Sequence, residues 1–557
     1  MNTRVPDRYL LIAILIVATV LRIVNLGVGD VTGNDETLYA FRSVGMLDFN
    51  EAEFQTTPLE WQDPNIQWWT ALSFHDHPPL VFVIQNLFMK VFGENTFAFR
   101  LPSAILGIFS VYLLYLIGTQ LFSKKVGLIA AAIMAITVNH VYISRIGIQE
   151  SYVIFFLLLA SYLFFKALEN ERYLLWTGAA IGFGILTKYN VFILAPIFLT
   201  YLVIFKRSYF AKKSFWLGAL LALLIFSPVI VYNIQLYRTT GHFDFQISYI
   251  LGQNPNVWQQ APGKEEIGAL TDRIKNFAPN FVTVNSWPLT ALFVISLTTL
   301  LRKKNIFPVL AIGWLILLLL LIGPTTRFLT MLTPFVVLSI AIFIDAVYEK
   351  IFVVKKNLAL AGLALFLFWE IFYSVNSQIL SYPVGPELWA FSKLRYDNYN
   401  WGYHELDKYL EKEFAGKFPA LTFDMRYQFL NNIKSVAIEK ARLSGLQSYS
   451  ALIIYDQNIK SPVHLWSLDR LQIYHGWPVL KTEEYLSALN ENGNDWPIKS
   501  GIKTRYFIIP TDKVPFKTKG QLTQTAIAFE QKLIADGIVP VSIYNRRGEE
   551  SIKIYKF

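Results

Sequence analysis

Long apolar runs alternate with short charged clusters over the first two thirds of the chain, and the alternation predicts helices that cross a membrane. About 20 apolar residues cover the hydrocarbon core as a helix. Runs near or somewhat below that length lie at Leu10–Leu26, Leu101–Phe122, Val126–Val138, Ser151–Leu168, Leu174–Leu186, Val191–Phe205, Phe215–Tyr232, Trp287–Leu301, Phe307–Ile322, Phe328–Val347 and Leu358–Tyr373. They amount to about eleven spans. The first follows Arg4 and Arg8 and has no small-x-small cleavage site behind it, so it reads as a retained helix with a cytoplasmic N-terminus. Pro79–Phe92 is apolar over only about 14 residues, which suits an interfacial helix.

The positive charges arbitrate the topology, because cytoplasmic loops carry the excess of Lys and Arg. If Pro79–Phe92 does not cross, then Lys124–Lys125, Lys206–Arg207, Lys212–Lys213, Arg302–Lys304 and Lys355–Lys356 all fall in cytoplasmic loops. The outer face then receives the first loop, within 27–97, the short loop 139–150, the turn at Lys188, the long loop 233–286, the turn before Arg327, and everything after about Val375. The expected fold is an α-helical polytopic membrane domain over 1–375, followed by an extracytoplasmic soluble α/β domain over 376–557. In that second region charges are spread throughout. Ala451–Tyr455 and Arg505–Pro510 read as strands, Thr525–Ala535 as a helix, and Val541–Tyr544 with Ile552–Tyr555 as a hairpin.

Composition agrees. Of 557 residues, 54% are hydrophobic and only 16% charged, against about 25% in soluble domains. Cys is absent, which excludes disulfides, thiol nucleophiles and cysteine metal sites. The net charge of +10 sits largely in the cytoplasmic clusters and reads as loop charge, with no nucleic-acid partner.

Candidate chemistry concentrates on the expected outer face. Asp35 and Glu36 follow the first span as adjacent carboxylates, suited either to general-base work or to capping an interfacial helix. His75-Asp76-His77 precedes a Pro pair and reads as a phosphate or metal contact, or as a helix-start turn. Tyr142, Arg145 and Glu150 share the short loop, where ionisable groups at the membrane boundary are functional or mutually paired. Lys188 and Arg327 are placed to meet a phosphate at headgroup depth, with an aqueous anchor as the alternative. His242 and Asp244 lie in the long loop, as cleft-lining or solvated groups. No spacing defines a metal site, and His75, His77 and His242 leave a divalent cation open.

The order of these motifs resembles the polytopic GT-C glycosyltransferases, in the group holding protein O-mannosyltransferases and aminoarabinose lipid A transferases. The matching pieces are Asp35-Glu36-Thr37-Leu38-Tyr39-Ala40, His77-Pro78-Pro79-Leu80, Phe92-Gly93-Glu94 with Arg100-Leu101-Pro102-Ser103, Ser144-Arg145 with Glu150, Leu186-Thr187-Lys188, and Arg327 with Pro334. They span about residues 1–350, and the C-terminal region matches no named pattern. The resemblance implies the GT-C fold and transfer of a sugar from a polyprenyl-phosphate donor in the bilayer. The acceptor is a protein, lipid or glycan on the non-cytoplasmic face of the cell membrane, reached by inverting displacement. It implies Asp35 as base, with Glu36 beside it, and Glu150 as the second acidic position. Tyr39, His75, His77, Tyr142 and His242 are expected to contact substrate; Arg145, Lys188 and Arg327 are expected, from their chemistry, to neutralise the leaving phosphate. A transporter or a non-catalytic binding protein for lipid-linked sugars is the alternative. Transporters carry their ionisable groups near the midplane, often in repeated halves, and neither feature is visible here.

Overall fold

The structure is a computed structural model that describes residues 6–31, 33–49, 57–253, 268–301, 306–516 and 522–557. The chain divides into two compact units. Met1–Gly27 and Trp68–Tyr396 belong to the first; Val28–Asn50, Thr57–Gln67 and Asp397–Phe557 belong to the second. A single cut at 375/376 is therefore replaced by a division in which two pieces of the first loop join the C-terminal region. The reason is physical: those pieces bury their apolar side chains and spend their carboxylates on C-terminal helices, as described below.

The first unit is helical. Its helices are α1 (Asp7–Ile23), then, after α2 (Asn34–Gly45) of the second unit, α3 (Leu80–Phe92), α4 (Thr96–Leu121), α5 (Lys124–Ile136), α6 (Val138–Ile143), α7 (Glu150–Glu169), α8 (Tyr173–Thr187), α9 (Leu194–Phe205) and α10 (Lys213–Thr240). They continue with α11 (Phe245–Leu251), α12 (Leu270–Val284), α13 (Trp287–Leu300), α14 (Phe307–Ile322) and α15 (Thr333–Gln378). Five stretches among the described residues are long and apolar enough to cross a membrane: 96–121, 150–169, 213–240, 326–347 and 357–378. The other apolar helices are shorter, among them Leu80–Phe92, which the sequence assigns to the interface.

Small residues let these helices approach. A Cβ on Gly178 of α8 would lie 2.0 Å from the carbonyl oxygen of Gly218 on α10, so the crossing admits only hydrogen there. Such contacts suit helix association in lipid, where the driving force is close packing.

Two expectations change here. The backbone of α15 runs unbroken through the loop expected at Lys355–Lys356, whose side chains lie outside the described ones. Between Pro334 and Gly362 the sequence has neither Pro nor Gly, so nothing in it ends the helix. The Arg302–Lys304 cluster also lies outside the described residues. The expected short loop 139–150 is a folded and wholly buried segment, with α6 at its start.

The second unit is built on a five-stranded mixed sheet. Its strands are β3 (Ala451–Tyr455), β4 (Val479–Lys481), β5 (Thr504–Pro510), β6 (Val541–Tyr544) and β7 (Glu550–Lys556), in spatial order β4-β3-β5-β7-β6. β4, β3 and β5 are parallel, and β7 runs antiparallel to both β5 and β6. β1 (Lys417–Pro419) and β2 (Gln447–Tyr449) form a separate parallel pair. Every residue of β3 is buried, as in a sheet covered on both faces. Ile453, Tyr455, Tyr506 and Ile508 pack on one side with Leu406, Leu410 and Phe414 of α16 (Tyr403–Phe414). Leu452, Ile454, Phe507 and Ile509 pack on the other with Ala526, Phe529 and Leu533 of the helix Gln524–Ala535. The alternation along each strand thus feeds two cores.

Candidate functional site

In the first unit, Glu150 opens α7, where the helix N-terminus favours an acid. Its side chain is only 1% exposed. Oε1 accepts a hydrogen bond from Lys188 Nζ at 2.5 Å and lies 4.0 Å from Arg327 Nε. Lys188 ends α8, and Arg327 lies in the short helix Thr326–Leu329. The ring of Phe328 sits beneath both cations, 4.6 Å from Lys188 Nζ and 4.9 Å from Arg327 Cζ. Two cations thus share one carboxylate and one aromatic face. Lys188 and Arg327 together offer the donors and positive charge that an anionic ligand can meet. Among the described residues Glu150 Oε2 is buried without a hydrogen-bond donor.

Next along the chain, Tyr189 donates its hydroxyl to Asp244 Oδ2 in a short hydrogen bond. Asn233 Nδ2 donates to the same oxygen at 3.0 Å, and Asn233 Oδ1 accepts the Asp244 amide at 2.8 Å. Asp244 Oδ1 caps α11 through the Ile247 amide at 2.9 Å. Burial, with a contribution from Asp76, pushes the Asp244 carboxyl above its ordinary pKa, against the lowering effect of its donors. Asp76 lies 3.1 Å from His77 Nδ1 and 3.8 Å from His75 Nδ1. The His75 carbonyl accepts the Phe245 amide at 2.8 Å. The 75–77 turn and α11 are therefore tied together, and Lys188-Tyr189 joins this carboxylate network to the Glu150 group. His242 turns back on its own chain, with Nδ1 2.7 Å from the Phe243 carbonyl.

Arg145 belongs elsewhere. Its guanidinium donates to the carbonyls of Leu21 at 3.0 Å and Val24 at 2.8 Å, at the C-terminal end of α1. Arg22 donates to Ala18 and Ala135 and contacts His140 Nδ1 at 2.6 Å; Arg100 donates to Leu26 at 3.3 Å. Arg145 at Leu21 and Arg22 at Ala135 meet carbonyls left open in the last turns of α1 and α5, where positive charge is favoured. The structure thus gives Arg145 a capping position in place of the expected grouping with Lys188 and Arg327. Tyr142 is buried in α6 beside it in sequence.

Asp35, Glu36 and Tyr39 lie in the second unit, on α2. Asp35 and Glu36 occupy the first turn; Glu36 and Tyr39 are buried and Asp35 is half-buried, so Asp35 is the more accessible acid. Thr37 Oγ1 closes the turn on the Gly33 carbonyl at 2.8 Å, and Ser43 Oγ bonds the Tyr39 carbonyl at 2.6 Å.

Sequence reasoning missed Tyr189, Asn233, Phe328 and Arg22. Arg22 carried a signal, as a charge in the last turn of an apolar span. Tyr189 and Asn233 end apolar runs and look like ordinary interfacial polar residues until Asp244 is folded against them.

Residues 76–232 match the family described as dolichyl-phosphate-mannose-protein mannosyltransferase. A Bacillus subtilis (strain 168) protein named as a mannosyltransferase, YkcB, is 31% identical over 225 residues, which are 37% of this chain and 31% of that protein. An undecaprenyl phosphate-alpha-4-amino-4-deoxy-L-arabinose arabinosyl transferase of Pseudomonas savastanoi pv. phaseolicola is 29% identical over 194 residues, 34% of each chain. The matched stretch therefore spans about a third of each relative. The crystal structure of ArnT from Cupriavidus metallidurans, bound to undecaprenyl phosphate, aligns with 99% of this chain and 98% of its own. Its TM-score is 0.53 at 11% identity, which is a likeness of fold.

Proposed function

We propose that this chain belongs to the GT-C group of protein O-mannosyltransferases and aminoarabinose lipid A transferases and is a multi-pass membrane glycosyltransferase using a polyprenyl-phosphate sugar. The observation that carries this reading is the Glu150–Lys188–Arg327 group, two cations held by one buried acid.

The chemistry divides among named residues. Lys188 and Arg327 bind the donor phosphate, and Glu150 holds them in place. Asp35 takes the proton from the acceptor hydroxyl. The acceptor oxygen attacks the anomeric carbon, and the bond from that carbon to the phosphate oxygen breaks with its electron pair on the phosphate. Configuration inverts, and the two cations stabilise the charge that develops on the leaving oxygen. His75, His77 and Asp244 belong to the network adjoining Lys188 and line the sugar side. The reading includes a cytoplasmic N-terminus and an outer face carrying the active site and residues 376–557, as the positive-inside bias supports. The acceptor is a protein, lipid or glycan hydroxyl.

The test is transfer from radiolabelled polyprenyl-phosphate sugars into membrane extracts by purified wild type, Asp35→Asn and Lys188→Gln. Label should reach an acceptor with wild type. Asp35→Asn should lose about 10²-fold or more in turnover, the scale of a general base, with donor binding kept. Lys188→Gln should lose donor binding. Turnover surviving in Asp35→Asn would remove the base role, and no transfer from any donor would favour transport or binding.

A further inference from the structure

Helix α2, which carries Asp35 and Glu36, is 12 residues long, and an isolated helix of that length is marginal in water. Its order depends on what it packs against, and within the second unit that is the C-terminal region. Phe41, Leu47 and Phe49 form one buried apolar cluster with Phe429, Leu430, Ile473 and Tyr474. The Tyr474 hydroxyl donates to the Phe41 carbonyl at 2.9 Å, and the two rings lie 5.1 Å apart. A Cβ on Gly45, the last residue of α2, would sit 2.3 Å from Tyr474 Cε1, so glycine permits this approach.

The segments flanking α2 are fastened by carboxylates. Asp30 accepts the amides of Trp401 at 2.7 Å and His404 at 2.8 Å, at the N-terminus of α16. The capping position of α16 is Gly402, at φ 108°, which has no side chain to supply a cap. Asp63 accepts the amides of Gln428 at 2.7 Å and Phe429 at 3.0 Å, at the N-terminus of α17 (Gln428–Leu443). The capping residue of α17, Tyr427, makes no side-chain cap. Each C-terminal helix therefore takes its N-cap from the first loop, where an acid is favoured by both the open amides and the helix dipole.

We propose that residues 397–557 are the mount of the acid-bearing helix, and that Asp30 and Asp63 are positioning residues that fix α2 on it. The proposal rests on the glycosyltransferase reading for the importance of Asp35. It gives the C-terminal region a part in turnover apart from acceptor selection.

The test compares wild type with the Asp30→Ala/Asp63→Ala double variant, Asp30→Asn and Tyr474→Phe, each as the purified full chain in detergent. Hydrogen–deuterium exchange is read over residues 34–45 and, as reference, over 150–169. Loss of the caps should speed exchange in 34–45 by about 2- to 30-fold, the range expected for a lost N-cap, and leave 150–169 unchanged. Asp30→Asn, which keeps one acceptor oxygen, should lie nearer wild type. In the transfer assay kcat should fall while donor KM holds. Unchanged exchange over 34–45 in the double variant would overturn the mount. If that variant does not fold, Tyr474→Phe, which removes one hydroxyl, decides on the same readout. Faster exchange in 34–45 with unchanged kcat would overturn the positioning role of Asp30 and Asp63 in turnover, while the base role of Asp35 is judged separately by Asp35→Asn.

Discussion

Glu150 shows how one residue can set the electrostatics of a site. It is buried, paired with Lys188, and near Arg327, so Glu150→Gln would take from Lys188 the carboxylate it pairs with. Breaking a buried pair from one side costs about 3–5 kcal/mol. Thermal melting of the detergent-purified chain should show that loss, with Glu150→Asp closer to wild type because the charge remains. Asp30 offers a pH test. Burial lifts its pKa from 3.8 to about 7, against the Trp401, Tyr403 and His404 amides that lower it, and Glu405 adds to the rise. Between about pH 4 and 7 the folded chain therefore holds a proton that the unfolded chain has released. Stability from this group must fall as pH rises through that window and level off above it. The difference in melting temperature between wild type and Asp30→Asn should vary across the same window and be flat above pH 7. The acids and cations could be picked from the sequence as ionisable groups beside apolar runs. Their pairing could not, because Glu150, Lys188 and Arg327 are far apart in sequence and Arg145, the nearest cation of the expected set, turns to α1 instead.

At the scale of elements, the apolar runs gave helices nearly where expected, because a stretch that must hide its backbone polar groups in lipid has few alternatives to a helix. Strands β3 and β5 likewise coincide with short runs rich in β-branched and aromatic residues. Packing is less legible. The α8–α10 crossing depends on Gly178 facing Gly218, and Gly178→Ala would place a methyl against backbone. The helices must then separate, at a cost of about 1–3 kcal/mol typical of overpacking, measurable as a lower melting temperature. Gly313→Ala in α14, where a Cβ meets nothing within 4 Å, is the control and should leave stability unchanged or slightly raised. The unbroken α15 was hidden by the Lys pair at 355–356, which marks a loop by charge while the local sequence contains no helix breaker.

For the whole molecule, the proposed sidedness has a direct test, since the chain has no Cys. Single cysteines at exposed Ser444 and exposed Ser208 can be probed in intact cells with a membrane-impermeant maleimide. Ser444→Cys should label from outside and Ser208→Cys only after lysis; the reverse pattern would invert the proposed topology. The sequence by itself determined that the chain is a multi-pass membrane protein, that a second region of mixed character follows, and which motifs resemble the GT-C group. These follow from local composition and order, which burial in lipid or water reads directly. Only the tertiary structure decided which charges meet, that the loop before Glu150 is buried, and that the helix bearing Asp35 belongs with the C-terminal region. Those outcomes depend on amides and rings more than 360 residues away in the sequence, such as the Asp30 and Asp63 partners. No local pattern encodes such a contact, because its energy exists only once both ends are folded.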